Sequence, residues 1–267
     1  MPEMKQRRAA FDRVAKQYKQ VRPGYPDNLF KDVISLSNIP KKGKILEIGC
    51  GTGQATIPFA RQGYSIHCIE LGANLAAVTK KNLAQYPNAK VSIGSFEEYP
   101  LQEDRYDLVI SATAFHWIDP EIGYPKVAKI LKREGAIALF WNHQVQTRRS
   151  AEFFQSVQSV YKQVVPEMAE KFSGLSHPEK MPFPVQSEIA QTGLFGEVTV
   201  RKYRWEQEYT SKTYVELLNT FSDHIVLNEE TRTQLFEGIE NHIETKFGGR
   251  ILREYLSVLY LAHCKDE

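Results

Sequence analysis

A chain of 267 residues can bury a full core as one large domain or as a domain with a cap, and 42% hydrophobic with 25% charged residues is ordinary soluble composition. A net charge of +2 is too weak a field to point to nucleic acid or an anionic membrane. Three cysteines without a Cys-x-x-Cys pair argue against a disulfide framework or a zinc site and fit a reducing compartment. No apolar run approaches the roughly 20 residues that span a bilayer, and Met1 to Arg8 lacks the apolar core of a secretion signal. The expectation is a soluble, cytoplasmic protein with no membrane partner.

Phe11, Val14, Ala15 and Tyr18 recur at helical spacing, so residues 9–20 read as an amphipathic helix. Pro23, Gly24 and Pro26 then force an irregular loop. Asp27 is a candidate cap for a helix through Leu36. Ile45, Leu46 and Ile48 form an apolar strand that runs into the turn Gly49-Cys50-Gly51-Thr52-Gly53, with a helix from Ala55 to Arg61. Strands are expected at 64–70, 89–94, 106–111 and 135–141, with helices over 71–86 and around 127–131. Five strands alternating with helices predict a parallel sheet covered on both faces. Beyond residue 141 the chain is polar and helical in texture, with a strand near 197–203, helices near 214–221 and 229–247, and a last strand at 254–264. The fold class is therefore α/β, a doubly wound, mostly parallel seven-stranded sheet with a helical cover.

Strand, glycine turn and helix in that order make the nucleotide-binding corner of such a sheet, because glycine lets a ligand lie against bare backbone. The dinucleotide fingerprint needs Gly-x-Gly-x-x-Gly, and here Gln54 stands at the third glycine. Glu47, just before the turn, can organise the turn's amides or receive a cationic ligand through water, and its charge would repel a pyrophosphate. Glu70, at the end of the next strand, can take both hydroxyls of an adenosine ribose, a feature that alone fits NAD equally well.

Together Glu47-Ile48-Gly49-Cys50-Gly51-Thr52-Gly53, Glu70, Gly94-Ser95-Phe96-Glu97 and Tyr106-Asp107-Leu108-Val109 resemble the class I S-adenosylmethionine-dependent methyltransferases over about residues 45–140. Phe11-x6-Tyr18-x3-Arg22-Pro23-x-Tyr25-Pro26 and Ala114-Phe115-His116-Trp117 resemble the small-molecule enzymes related to trans-aconitate methyltransferase. The resemblance implies S-adenosylmethionine as cofactor and a single domain. Its parts would be a helical lid (1–43), a cofactor-binding core (44–141), a helical cover with a late strand (142–250) and a final strand (251–267). It implies cofactor contacts from Tyr18, Arg22, Glu47, Gly49, Gly51, Gly53, Glu70, Leu71, Phe96, Glu97 and Ala112. Many family members carry an aspartate where Ser95 stands, so adenine contacts would rest on backbone, Phe96 and Glu97.

Arg22 is expected to pair with the methionine carboxylate. His116 is a candidate general base or hydrogen-bond donor, and a histidine that merely caps the next helix is the competing reading. Tyr25, Trp117 and His143 are candidate acceptor contacts, with Arg148 and Arg149 as further cations in the loop after the fifth strand. Cys50 reads as packing, and no residue spacing suggests a metal. Methyl transfer from a sulfonium needs alignment and a dry site more than a metal. The acceptor is expected to be a small carboxylate, hydroxyl or amine. The alternatives are an RNA or protein methyltransferase, a protein that binds the cofactor without turnover, and an NAD-dependent oxidoreductase. Oligomeric state leaves no mark in the sequence.

Overall fold

The computed structural model describes residues 21–265, apart from Ser173, Met181 and Phe183. The helix expected over 9–20, and Tyr18 with it, lie outside the described residues.

The first half alternates strictly. Helix α1 (Asp27–Leu36) precedes β1 (Lys44–Ile48), followed by α2 (Thr56–Arg61), β2 (Ser65–Glu70), α3 (Ala73–Asn82), β3 (Ala89–Ile93) and β4 (Tyr106–Ala112). A single 3₁₀ turn, Phe115–Trp117, leads into α4 (Pro120–Ile130) and β5 (Leu131–Val145). The cover follows as α5 (Arg148–Val164), α6 (Pro166–Lys171) and α7 (Pro184–Gln191). After β6 (Thr199–Thr210) come α8 (Ser211–Leu218), α9 (Ser222–Ile225) and α10 (Glu229–Phe247), then β7 (Arg250–His263).

The seven strands lie in the order β3-β2-β1-β4-β5-β7-β6. Strands β1 to β5 are parallel, while β7 runs antiparallel between β5 and β6. The order reverses between β1 and β4, so the crevice beyond their C-terminal ends is the fold's natural ligand site. Alternate residues serve opposite faces of the sheet. Leu46, Val109, Ile137, Leu139 and Val258 pack with α4 on one side, and Ile45, Leu108, Ile110, Ala138 and Phe140 with α1 and α2 on the other. A third core joins α5, α8 and α10 to Ile251 and Tyr255 at the start of β7.

Several boundaries differ from the sequence expectation, each for a local reason. Pro26, not Asp27, is the N-cap of α1; Asp27 sits in the first turn, where its charge complements the helix end. Asp119 caps α4 by accepting from the Glu121 amide at 3.0 Å, so that helix starts well before residue 127. Helix α3 is shorter than 71–86, ending at Asn82. The last three strands are longer than expected because they pair with one another: β6 and β7 stay in register from Thr199↔Leu261 to Thr210↔Arg250. That extension lifts α8, α9 and α10 above the C-terminal edge of the parallel strands, which builds the cover. The late helix ends at Leu218 rather than Phe221, and α9 follows as a separate turn.

Candidate active site

Three turns meet at the switch point. Gly49, Gly51 and Gly53 all have positive φ, at 69°, 56° and 89°. A Cβ on Gly49 would lie 2.6 Å from the Cβ of Ala114, so the turn after β1 presses directly on the turn after β4. Helix α3 braces the glycine turn from outside: the Thr79 hydroxyl donates to the Gly51 carbonyl, and the Asn82 amide donates to the Thr52 carbonyl at 2.8 Å. Neither role has a signal in the sequence, since Thr79 and Asn82 read as ordinary helix residues.

The two acids divide the work differently from the expectation. Glu70, not Glu47, organises the turn, accepting from the Gly51 amide at 2.8 Å and the Gly72 amide at 2.9 Å. Glu47 is wholly buried and accepts from the Thr56 hydroxyl at 2.6 Å, tying strand to helix. Burial pushes its carboxyl up to about 7, against the partial relief of the Thr56 and Cys68 hydrogen bonds. The repulsion of a pyrophosphate by a full charge at Glu47 is therefore weaker than the sequence implies. Cys50 and Cys68 are buried free thiols, and Cys50 packs in the core on the α1 and α2 face.

Beyond β4, Thr113 takes φ of 54°, a left-handed conformation rare for a β-branched residue. Its amide donates to the Phe140 carbonyl at 2.8 Å, and its hydroxyl meets the Tyr25 hydroxyl at 2.7 Å. The strain fixes the path of Ala112 to Ala114 along the crevice. Trp141 Nε1 donates to His116 Nδ1 at 3.0 Å. His116 faces the open cavity, yet the low-dielectric walls around it pull its pKa down to about 4. The ring is thus neutral at pH 7, with its remaining proton on Nε2.

One cavity of about 740 Å³ joins these turns to the cover. On the sheet side it is lined by Gly49, Gly51, Glu70, Leu71, Phe96 and Ala112, with His116 and Trp117 at the waist. On the cover side it reaches Gln144, Phe154, Tyr161, Tyr214, His224 and Arg253. A smaller recess of about 80 Å³ under the glycine turn is lined by Tyr25, Glu47 and Gln54, and it shares Arg22 with the larger cavity. Arg22 donates through Nε to the Thr220 hydroxyl at 2.8 Å and through Nη2 to the Thr220 carbonyl at 2.7 Å, with its guanidinium 4.6 Å from the Phe221 ring centre.

Some expected contacts are not brought together. Gly53 lines neither recess; a Cβ there would lie 3.3 Å from the Thr79 side chain, so its part is to let α3 approach. Glu97 accepts from the Ser95 hydroxyl at 2.5 Å and is not among the lining residues. His143 also lies off the cavity, because alternation along β5 sends it to the face opposite Gln144. Arg149 pairs with Glu206 at 2.8 Å and Arg148 is exposed, so that loop's cations do not converge on the site.

Two groups in the cover have no signal in the sequence. Tyr161 Oη meets His224 Nε2 at 2.8 Å, and His224 Nδ1 meets Asp223 at 2.8 Å, so both nitrogens of the buried His224 ring are occupied. Arg253 is only 2% exposed; it donates through Nη1 to the Tyr214 hydroxyl at 2.8 Å and through Nη2 to Gln144.

Residues 45–135 match the family model for a methyltransferase domain. An uncharacterized methyltransferase of Mycobacterium tuberculosis is 29% identical over 125 residues, 47% of this chain and 49% of that protein. The chain thus spans about half the length of that curated relative. Among solved structures, a type II methyltransferase candidate from Anaeromyxobacter dehalogenans superposes with a TM-score of 0.63 at 19% identity, covering 91% of this chain and 97% of that one. A phosphoethanolamine N-methyltransferase from Haemonchus contortus, in complex with phosphomonomethylethanolamine and S-adenosylhomocysteine, gives 0.55 at 15% identity, over 96% of this chain and 58% of that one. The sheet is that of the class I methyltransferase fold, and the stretch matched by the methyltransferase-domain model, residues 45–135, is its nucleotide-binding half.

Proposed function

We propose that this chain is an S-adenosylmethionine-dependent methyltransferase that moves a methyl group to a small-molecule acceptor held beneath its cover. The observation that carries the reading is the continuity of one cavity from the glycine turn and Glu70 to a walled chamber under α5, α8 and α9. A cofactor lying along the turn would point its reactive end past the Ala112 to Ala114 backbone into that chamber. The Haemonchus structure, which holds S-adenosylhomocysteine, supports the choice of cofactor.

Bound there, the cofactor supplies an activated methyl carbon, and the chain's residues orient the reactants. Glu70 lies between the turn amides and the ribose position, Leu71 and Phe96 offer apolar walls to the adenine, and Gly49 and Gly51 give bare backbone to the methionyl portion. Arg22, held by Thr220 where the two recesses meet, receives the methionine carboxylate. Glu47, beside the smaller recess, ionises more fully when a cationic ligand sits near it. His116 presents Nε2–H and so serves as a donor to an acceptor oxygen; its Nδ1 is taken by Trp141 and its pKa is too low for it to serve as a strong base at pH 7. Displacement is in line, with the cover excluding water.

Replacing Arg22 by Ala should weaken S-adenosylmethionine binding by about 10-fold or more, as loss of a charge-assisted contact does. Unchanged affinity by calorimetry would remove Arg22 from the site. Calorimetry with S-adenosylmethionine, S-adenosylhomocysteine and NAD separates the methyltransferase from an oxidoreductase. Labelled-methyl transfer onto a metabolite extract, with and without nuclease, separates a small-molecule enzyme from a nucleic-acid enzyme. Binding without any transfer would identify a non-catalytic cofactor-binding protein.

A further inference from the structure

Arg253 is a buried cation on the cavity wall that makes no ion pair among the described residues. The acids around it are engaged elsewhere. Glu254 accepts from Thr147 and Ser150, Glu206 pairs with Arg149, Glu208 with Arg250, and Asp223 with His224. Around the guanidinium are neutral groups: the Tyr214 hydroxyl, the Gln144 carbonyl, and the ring of Phe154 with its centre 4.4 Å away. Its Nε is buried and has no hydrogen-bond partner. A lone buried cation is costly, and ring contacts offset only part of that cost. Buried donors left unpaired are uncommon, and this one belongs to a side chain that lines a ligand cavity.

We propose that Arg253 is the anchor for the acceptor, and that the chamber takes a molecule with a carboxylate on an apolar body, the carboxylate meeting the guanidinium. A planar guanidinium matches a carboxylate's two oxygens, and Gln144 and Tyr214 hold that plane in place. The apolar body lies among Phe154, Val157, Leu175 and Leu218, which line the same chamber. This proposal rests on the methyltransferase reading only for its name of the ligand as the acceptor; the recognition itself is a property of the chamber.

The test titrates the protein, saturated with S-adenosylhomocysteine, with octanoate, octan-1-ol, octylamine and octyl phosphate by calorimetry. Octanoate should bind about 30-fold more tightly than octan-1-ol or octylamine, the range expected for a hydrogen bond to a charged group. Arg253→Met should erase that preference while leaving S-adenosylhomocysteine affinity unchanged, and Arg253→Lys should restore only part of it. Octanoate binding no better than octan-1-ol, or a preference that survives Arg253→Met, overturns the proposal. Tighter binding of octyl phosphate than of octanoate overturns the assignment to a carboxylate. If Arg253→Met fails to fold, the wild-type ranking of the four head groups still decides the matter. Failure of S-adenosylhomocysteine to bind would count against the methyltransferase reading alone, because the four titrations are repeated without it.

Discussion

Glu47 has a measurable signature. Its carboxyl sits at about 7 in the folded protein against an ordinary 4.5, so the native state prefers it protonated. The linked stability is fully present below pH 4.5 and is lost as pH rises through 7, amounting to about 3 kcal/mol in the limit. Glu47→Gln keeps an oxygen for the Thr56 hydroxyl and cannot ionise. The variant should match the wild type near pH 4.5 and exceed it by about 2–3 kcal/mol at pH 8 in urea unfolding. An equal difference at both pH values would show that ionisation is not the cause. The sequence drew attention to Glu47 because an acid beside a glycine turn is conspicuous. Its true neighbours, Thr56 and Cys68, lie 9 and 21 residues away and emerge only when strand, helix and neighbouring strand are packed.

At the scale of elements, the cover depends on one close helix crossing. A Cβ on Gly238 of α10 would lie 2.7 Å from Cγ1 of Val160 on α5. Alanine gains about 1 kcal/mol over glycine inside a helix, but overpacking against a stiff β-branched side chain costs about 1–3 kcal/mol. Gly238→Ala alone should therefore be neutral to destabilising by about 1–2 kcal/mol. Combined with Val160→Ala it should recover most of that loss, a coupling readable in a double-mutant cycle. Additive effects would mean that the helices slide apart freely. Elements whose period and punctuation are local, such as β1, β2 and α10, were legible in the sequence. The length of β5 to β7 was not, because the polar residues at both ends are recruited by pairing between distant segments. Arg253 was lost with them: an arginine near the start of a strand reads as solvent-facing until α5 and α8 close over it.

For the whole molecule, a ligand that bridges the turns should stabilise the fold by mass action. S-adenosylhomocysteine at 100 times its dissociation constant should add about 2.7 kcal/mol and raise the melting temperature by a few degrees, while NAD should leave it unmoved. A shift with NAD alone would reverse the choice of cofactor. The cofactor half of the site was readable because glycines and strand-end acids act through backbone, whose geometry follows from local sequence. The acceptor half is assembled from α5, α8, α9 and β7, segments far apart in the chain, and no spacing rule links them. β7 has a consequence of its own. The same uninterrupted strand forms ladders with β5 and β6 and carries Arg253 at its upper end. A slip of one residue in either ladder would turn every β7 side chain to the opposite face. Acceptor choice is therefore geared to the sheet: the helices between β6 and β7 shape the chamber, but the cation moves only by re-threading the core.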